Sequence, residues 1–309
     1  MKLVTFETRG ARHIGALLPG ELEVVDFTAS NTALYFRDML ALIDSGAAAL
    51  DHARSLVSSP PRTLPLAELR LLAPLPEPRQ MRDCLVFEQH IRNARAMAPT
   101  FSGGARLDPA TVDIPNVWYK QPIYYKCNRF SVIGPDADVL WPRYCELLDY
   151  QLEFGVVLGR GGKNISREAA QQHILGYCIF NDVSARDAQM REMQGQLGPA
   201  KGKDFDTGNI LGPWLVTADE IADPYDLTMV ARVNDEEWSR GHSGAMHHKF
   251  EDIITHVSTD ETLHAGEFFG SGTVGGGCGL EQGRFLKPGD VVALEVQGLG
   301  VLRNRMAAQ

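Results

Sequence analysis

DYQLEFGVVLGR at residues 149–160, followed by ILGYCIF at 174–180 and NDVSARD at 181–187, is the stretch whose reading decides the fold. In an extended strand side chains alternate between faces, so Asp149, Gln151 and Glu153 point one way and Tyr150, Leu152 and Phe154 the other. Three polar groups on one face read first as a solvent-exposed strand. The second acidic cluster, Asp182 and Asp187 behind the apolar run ILGYCIF, changes that reading. Carboxylates at the mouths of two buried strands are the usual cage for a hard divalent cation.

Working outward, 309 residues suffice for one large domain or two. With 44% apolar and 22% charged residues the composition is that of an ordinary globular protein. A formal net charge of -9 argues against nucleic acid or an anionic membrane as partner and is no obstacle to a cation. No apolar run approaches the roughly 20 residues that span a bilayer, and MKLVTFETRG lacks a signal-like apolar core, so a cytoplasmic place is expected. The five cysteines are scattered, with no CxxC pair, and read as reduced core residues.

The first 75 residues read as a small α/β accessory unit. KLVTFE, HIGALL and LEVVDF are its predicted strands; ALYFRDMLALIDSG, stopped by Gly46, and AAALDHARSLV are its predicted helices. The proline-rich SSPPRTLPLAELRLLAPLPEPRQ reads as a surface linker, with the boundary inside it, leaving residues 76–309 as the main domain. RDCLVFEQHIRNARAMA reads as a turn entering a helix, with Asp83 near its start and His90 at a boundary position two turns later. FSGGARLDPATVDIPN has loop composition suited to a lid. His242, His247 and His248 in HSGAMHHK read as solvated. The glycine-rich 270–279 segment lacks the GK[ST] ending of a phosphate cradle, which discounts nucleotide binding.

RDCLVFEQH, WYKQPIYYK, LLDYQLEFGVVLGR, FNDVSARDAQ, GPAKGKDFDT, LGPWLVT and SGTVGGGCGLE, in that order, resemble the fumarylacetoacetate hydrolase family over most of residues 81–305. The resemblance implies an α+β catalytic domain built as a β-rich, rolled mixed sheet, a homodimer, and a divalent cation, Mg²⁺ first and Mn²⁺ or Ca²⁺ next. Carried over by position, the metal set is Asp83, Gln151, Glu153 and Asp182. Gln151 stands where the family has glutamate, which removes one negative charge and implies weaker binding. The resemblance further implies His90 with Glu281 as the water-activating pair, and Arg186, Gln189 and Lys203 as oxyanion stabilisers. It implies Tyr125 and Thr273 as substrate contacts. Packing remains open for Tyr125, and for Arg186 a salt bridge to Asp182 or Asp187.

The implied activity is metal-assisted hydrolysis of a C–C bond in a small keto acid, an acylpyruvate or β-diketo acid, with His90 as general base. Two alternatives stand beside it. One is a decarboxylase or keto-enol isomerase of 2-hydroxy-dienedioate-type acids. The other is a binding protein whose catalysis is impaired by Gln151. Substrate selectivity is expected from the loop between Met97 and Val117, where no motif guides the reading.

Overall fold

The computed structural model describes residues 1–308. Its strands fall into two large open sheets and one short pair. The main sheet runs, edge to edge, through Thr63–Pro65, Glu23–Asp26, Ala11–Leu17, Lys2–Thr8 and Asn209–Thr217. It continues through Ile174–Asp182, Glu153–Leu158, Phe268–Gly270, Met81–Cys84 and Tyr124–Lys126. A second sheet joins Glu236–His242, Thr228–Val233, Val291–Val296, Gly300–Ala307 and Asp138–Leu140. Parallel and antiparallel pairs coexist: Phe268–Gly270 is parallel to Met81–Cys84 and antiparallel to Glu153–Leu158. This is the β-rich mixed-sheet α+β fold the sequence implies, with helices a minor component.

ILGYCIF is continuously apolar because its strand is covered on both faces. Tyr177 and Ile179 point into a core shared with Met229, Leu294 and Leu302 of the second sheet. Cys178 and Phe180 point into the opposite core, where Phe36, Leu42 and Ala53 of the N-terminal helical region pack. The Glu153–Leu158 strand divides likewise, Phe154 and Val156 to the first core and Val157 to the second. The main sheet is therefore the middle layer.

Four local readings change. The predicted 149–160 strand is broken: Leu148–Asp149 pairs with Ser184–Ala185, whereas Glu153–Leu158 pairs with Ile174–Asp182. The chain crosses between partners at 150–152, so simple alternation fails there, and Asp149, Gln151 and Glu153 are all buried. Asp83 lies on a strand, Met81–Cys84, and the helix begins later, at Glu88. The predicted helix over ALYFRDMLALIDSG is interrupted at Asp38, whose side chain caps Met39–Asp44 by accepting from the Ala41 N–H. Finally, the proline-rich segment contributes the short strands Thr63–Pro65 and Arg70–Leu72 to the main sheet. Lys2–Thr8 in turn pairs with Asn209–Thr217, so the sheet runs unbroken from the N-terminal strands into the rest.

Gly155 shows how closely the layers approach. A Cβ there would lie 2.3 Å from the Phe268 ring and 2.5 Å from the Phe269 carbonyl oxygen. Gly155→Ala is expected to lower stability by roughly 1–3 kcal/mol, the usual cost of overpacking. Urea denaturation checks it: the midpoint moves down, and an unchanged midpoint contradicts the packing described.

Candidate active site

Three buried carboxylates converge at one end of the main sheet, each from a different strand. Asp182 ends Ile174–Asp182, Glu153 opens Glu153–Leu158 and Asp83 lies near the end of Met81–Cys84. Their oxygens lie within 4.8 Å of one another. Between the strands of Glu153 and Asp83 runs Phe268–Gly270, and the ladder places Gly270 directly beside Asp83. A Cβ on Gly270 would sit 2.6 Å from Asp83 Oδ1. The missing side chain is the space through which the Asp83 carboxylate reaches across.

Lys203, buried on the short helix Ala200–Lys203, donates to Asp182 Oδ2 and to Gln151 Oε1. An ammonium can only donate, so the Gln151 atom facing it is the amide oxygen. That oxygen also accepts from Ser184 Oγ at 3.2 Å, and the amide nitrogen donates to Thr273 Oγ1 at 2.6 Å. The Gln151 amide thus joins Lys203 and Ser184 through its oxygen to Thr273 through its nitrogen. Thr273 in turn donates to Glu153 Oε1 at 3.1 Å, and the Tyr125 phenol donates to Asp182 Oδ2 at 2.7 Å. Burial, and then the Asp182 charge, push the Tyr125 phenol well above its ordinary value.

Glu153 Oε2 and Asp182 Oδ1 are buried and have no hydrogen-bond partner among the described residues. Orphaned carboxylate oxygens in a cluster of three are what a hard cation takes up, so these residues fit a divalent ion held by oxygen. Three carboxylates against one ammonium leave two negative charges uncompensated, which a divalent ion balances. Burial raises Asp83 from 3.8 to about 7, with the Asp182 charge adding to it. Glu153 is raised in the same direction, by burial first and then by Asp83 and Asp182.

A second arrangement stands at the helix Glu88–Met97. His90 Nδ1 lies 2.8 Å from Glu281 Oε1. The other Glu281 oxygen accepts from Asn93 Nδ2 and the Gly276 N–H, each at 2.7 Å. His90 is buried, contrary to the boundary position its helical spacing predicts. Asn93, one turn along the same face, went unmarked in the sequence, although its i+3 spacing from His90 is legible there.

Arg186 pairs with neither Asp182 nor Asp187. Its Nε donates to Asp149 Oδ2 at 2.9 Å and its Nη1 to Gln189 Oε1 at 2.9 Å, while Nη2 is buried without a partner. Burial is the largest influence and opposes its charge, but the Asp149 carboxylate, with Cys278 and Asp182 adding to it, holds the guanidinium above its ordinary value. Asp149 also accepts from the N–H groups of Gly279 and Leu280, so its charge is spent here and does not supplement the cage. Asp187 and Glu146 likewise lie apart: the Glu146 N–H meets Asp187 at 3.4 Å, and Glu146 is exposed.

One cavity of about 290 Å³ is bordered by Asp83, His90, Tyr125, Gln151, Arg186, Gln189 and Lys203. Glu153, Asp182, Thr273 and Glu281 stand behind those residues rather than on its wall. Met193, Leu197, Gly198 and Pro199 also line it, and no described residue between Met97 and Val117 does. Of the three histidines expected to be solvated, His248 is instead buried, with Nε2 2.7 Å from the Trp118 carbonyl oxygen.

Residues 82–307 match the family described as Fumarylacetoacetate (FAA) hydrolase C-terminal. The chain belongs to the fumarylacetoacetate hydrolase family. It is 32% identical to a mitochondrial oxaloacetate tautomerase of Homo sapiens over 309 residues, covering 99% of this chain and 91% of that protein. It superposes on the fumarylacetoacetate hydrolase of Exiguobacterium antarcticum with a TM-score of 0.77 and 28% identity over the full length of both. The 5-carboxymethyl-2-hydroxymuconate delta-isomerase of Mycobacterium smegmatis gives a TM-score of 0.72 over 100% of both chains, and at 21% identity speaks to the fold alone.

The raised Asp83 carboxyl has a definite consequence in chelator-treated protein. Between pH 4 and 7 the folded chain keeps a proton that the unfolded chain, titrating near 3.9, has lost. The folded state then binds more protons, so stability falls as pH rises across that window, and the raised Glu153 carboxyl adds to the fall. Urea midpoints measured from pH 4.5 to 8, in steps, are expected to show this slope, reduced in Asp83→Asn. Equal slopes in both proteins contradict it.

Proposed function

We propose that the chain is a divalent-cation-dependent hydrolase that cleaves a C–C bond in an acylpyruvate or β-diketo acid. The observation that carries the reading is the His90–Glu281 pair at 2.8 Å, whose His90 borders the same cavity as Asp83 and Lys203. Asp83, Glu153 and Asp182 would hold the cation, with Mg²⁺ and a homodimer taken from the family. When bound, the cation supplies Lewis acidity to a carbonyl oxygen of the substrate.

Glu281 fixes the tautomer of His90 by accepting at Nδ1, which leaves Nε2 for the cavity and stabilises the imidazolium once it forms. His90 then takes a proton from water, whose oxygen bonds to the distal acyl carbon. The C–C bond breaks with its electron pair going to the carbon beside the 2-oxo group, and His90 returns the proton there. The Nη2 of Arg186, unpartnered among the described residues, offers a donor to the developing oxyanion, and the Lys203 ammonium on the cavity wall adds positive charge beside the substrate carboxylate. A water takes up about 30 Å³, so a cavity of about 290 Å³ accommodates a small keto acid together with one.

A second reading, keto-enol tautomerisation, is favoured by the human relative described as an oxaloacetate tautomerase. It uses the same base without a nucleophilic water. Incubation with acylpyruvates, enol-oxaloacetate and 2-hydroxy-dienedioates in ¹⁸O-labelled water separates the two. Hydrolysis gives two products, with label in the new carboxylate; keto-enol interconversion without cleavage overturns the hydrolase and supports the tautomerase. His90→Ala is expected to lower kcat by about 10²-fold or more, the usual contribution of a general base.

A further inference from the structure

Behind His90 lies a cluster that the reaction does not use in full. Cys278 Sγ donates to Glu281 Oε1 at 3.4 Å, the same oxygen that meets His90 Nδ1 at 2.8 Å, and lies 4.0 Å from that nitrogen. All three side chains are buried, Cys278 completely. We propose that His90, Cys278 and Glu281 form a second cation site, selective for zinc or a similarly soft divalent ion and separate from the three-carboxylate cage.

Geometry, donor type and charge agree. Ligand atoms around tetrahedral zinc, with bonds of about 2.0–2.3 Å, stand roughly 3.3–3.6 Å apart. A point about 2 Å from all three atoms exists within the observed triangle, and small side-chain shifts even out its edges. Thiolate and imidazole favour zinc over magnesium, whereas the cage offers oxygen alone. Burial pushes the Cys278 thiol well up, so in the metal-free protein the sulfur keeps its proton. Binding releases that proton and moves the imidazole proton from Nδ1 to Nε2. A neutral imidazole, a thiolate and a carboxylate then balance the divalent ion.

The surroundings hold the ligands in place. Asn93 and the Gly276 N–H fix the far oxygen of Glu281. Of the three ligands, His90 borders the cavity. Occupancy ligates the nitrogen that Glu281 holds during proton transfer. Zinc is therefore an inhibitor of the enzyme even with the cage saturated by Mg²⁺, a consequence that rests on the role proposed for His90; the binding itself does not.

Cobalt(II) is the probe, added to the full-length protein in excess Mg²⁺. One equivalent is expected to produce a thiolate-to-cobalt charge-transfer band, which zinc abolishes by displacement. Cys278→Ser and Cys278→Ala, checked for folding by circular dichroism, lose the band; Asp83→Asn keeps it. No band in the wild-type protein, or a band that survives loss of Cys278, overturns the site. Turnover is read in the same titration. A band with zinc-induced loss of turnover supports the site and the role of His90, and a band with turnover unchanged keeps the site while removing the His90–Glu281 pair from the reaction.

Discussion

Bringing three carboxylates together inside a protein is the constraint on which this structure depends. Each ionised group loses its hydration, and each repels the other two, so the arrangement persists by keeping protons, as the raised Asp83 and Glu153 carboxyls do, or by gaining opposite charge close by. Lys203 supplies one positive charge from within the chain. A divalent cation would supply the rest, and with all three carboxylates ionised the formal charge of the cage would then sum to zero. The main sheet provides the rigidity: Asp182, Glu153 and Asp83 are fixed by strand pairing, with Gly270 leaving room between them.

That charge count recasts Gln151. The family's glutamate at this position would add a fourth carboxylate to the three, Asp83, Glu153 and Asp182, that this chain brings together. As an amide it accepts from Lys203 and Ser184 and donates to Thr273, which itself donates to Glu153. Gln151 thereby ties Lys203 and Thr273 to the edge of the cage. Three carboxylates, Asp83, Glu153 and Asp182, stand together whatever Gln151 contributes.

Much of this was legible in the sequence, and what was not has a common cause. NDVSARD after a continuously apolar run announced Asp182 at the end of a strand buried on both faces. Local periodicity could not show that 81–84 is a strand, because its partners Phe268–Gly270 and Tyr124–Lys126 are distant in the chain. The same blindness placed Asp149 on the face of Gln151 and Glu153. Alternation assumes one unbroken strand, and here the chain changes partners at 150–152 so that Asp149 meets Arg186 and the N–H groups of Gly279 and Leu280. His90 was found through family likeness, but its burial and its anchoring through Asn93 needed the Gly279–Gln282 turn to be folded against its helix.

The central claim is a cage of three carboxylates made neutral by Lys203 and one divalent ion, with Gln151 as its support. Manganese(II) binding, followed by electron paramagnetic resonance, tests it most directly in the wild-type protein and in Glu153→Gln, Asp182→Asn and Gln151→Glu. One tightly bound ion per chain is expected in the wild type, lost in the first two variants and no tighter in the third. A wild-type protein that binds none, or a Gln151→Glu variant that binds far more tightly, would contradict it.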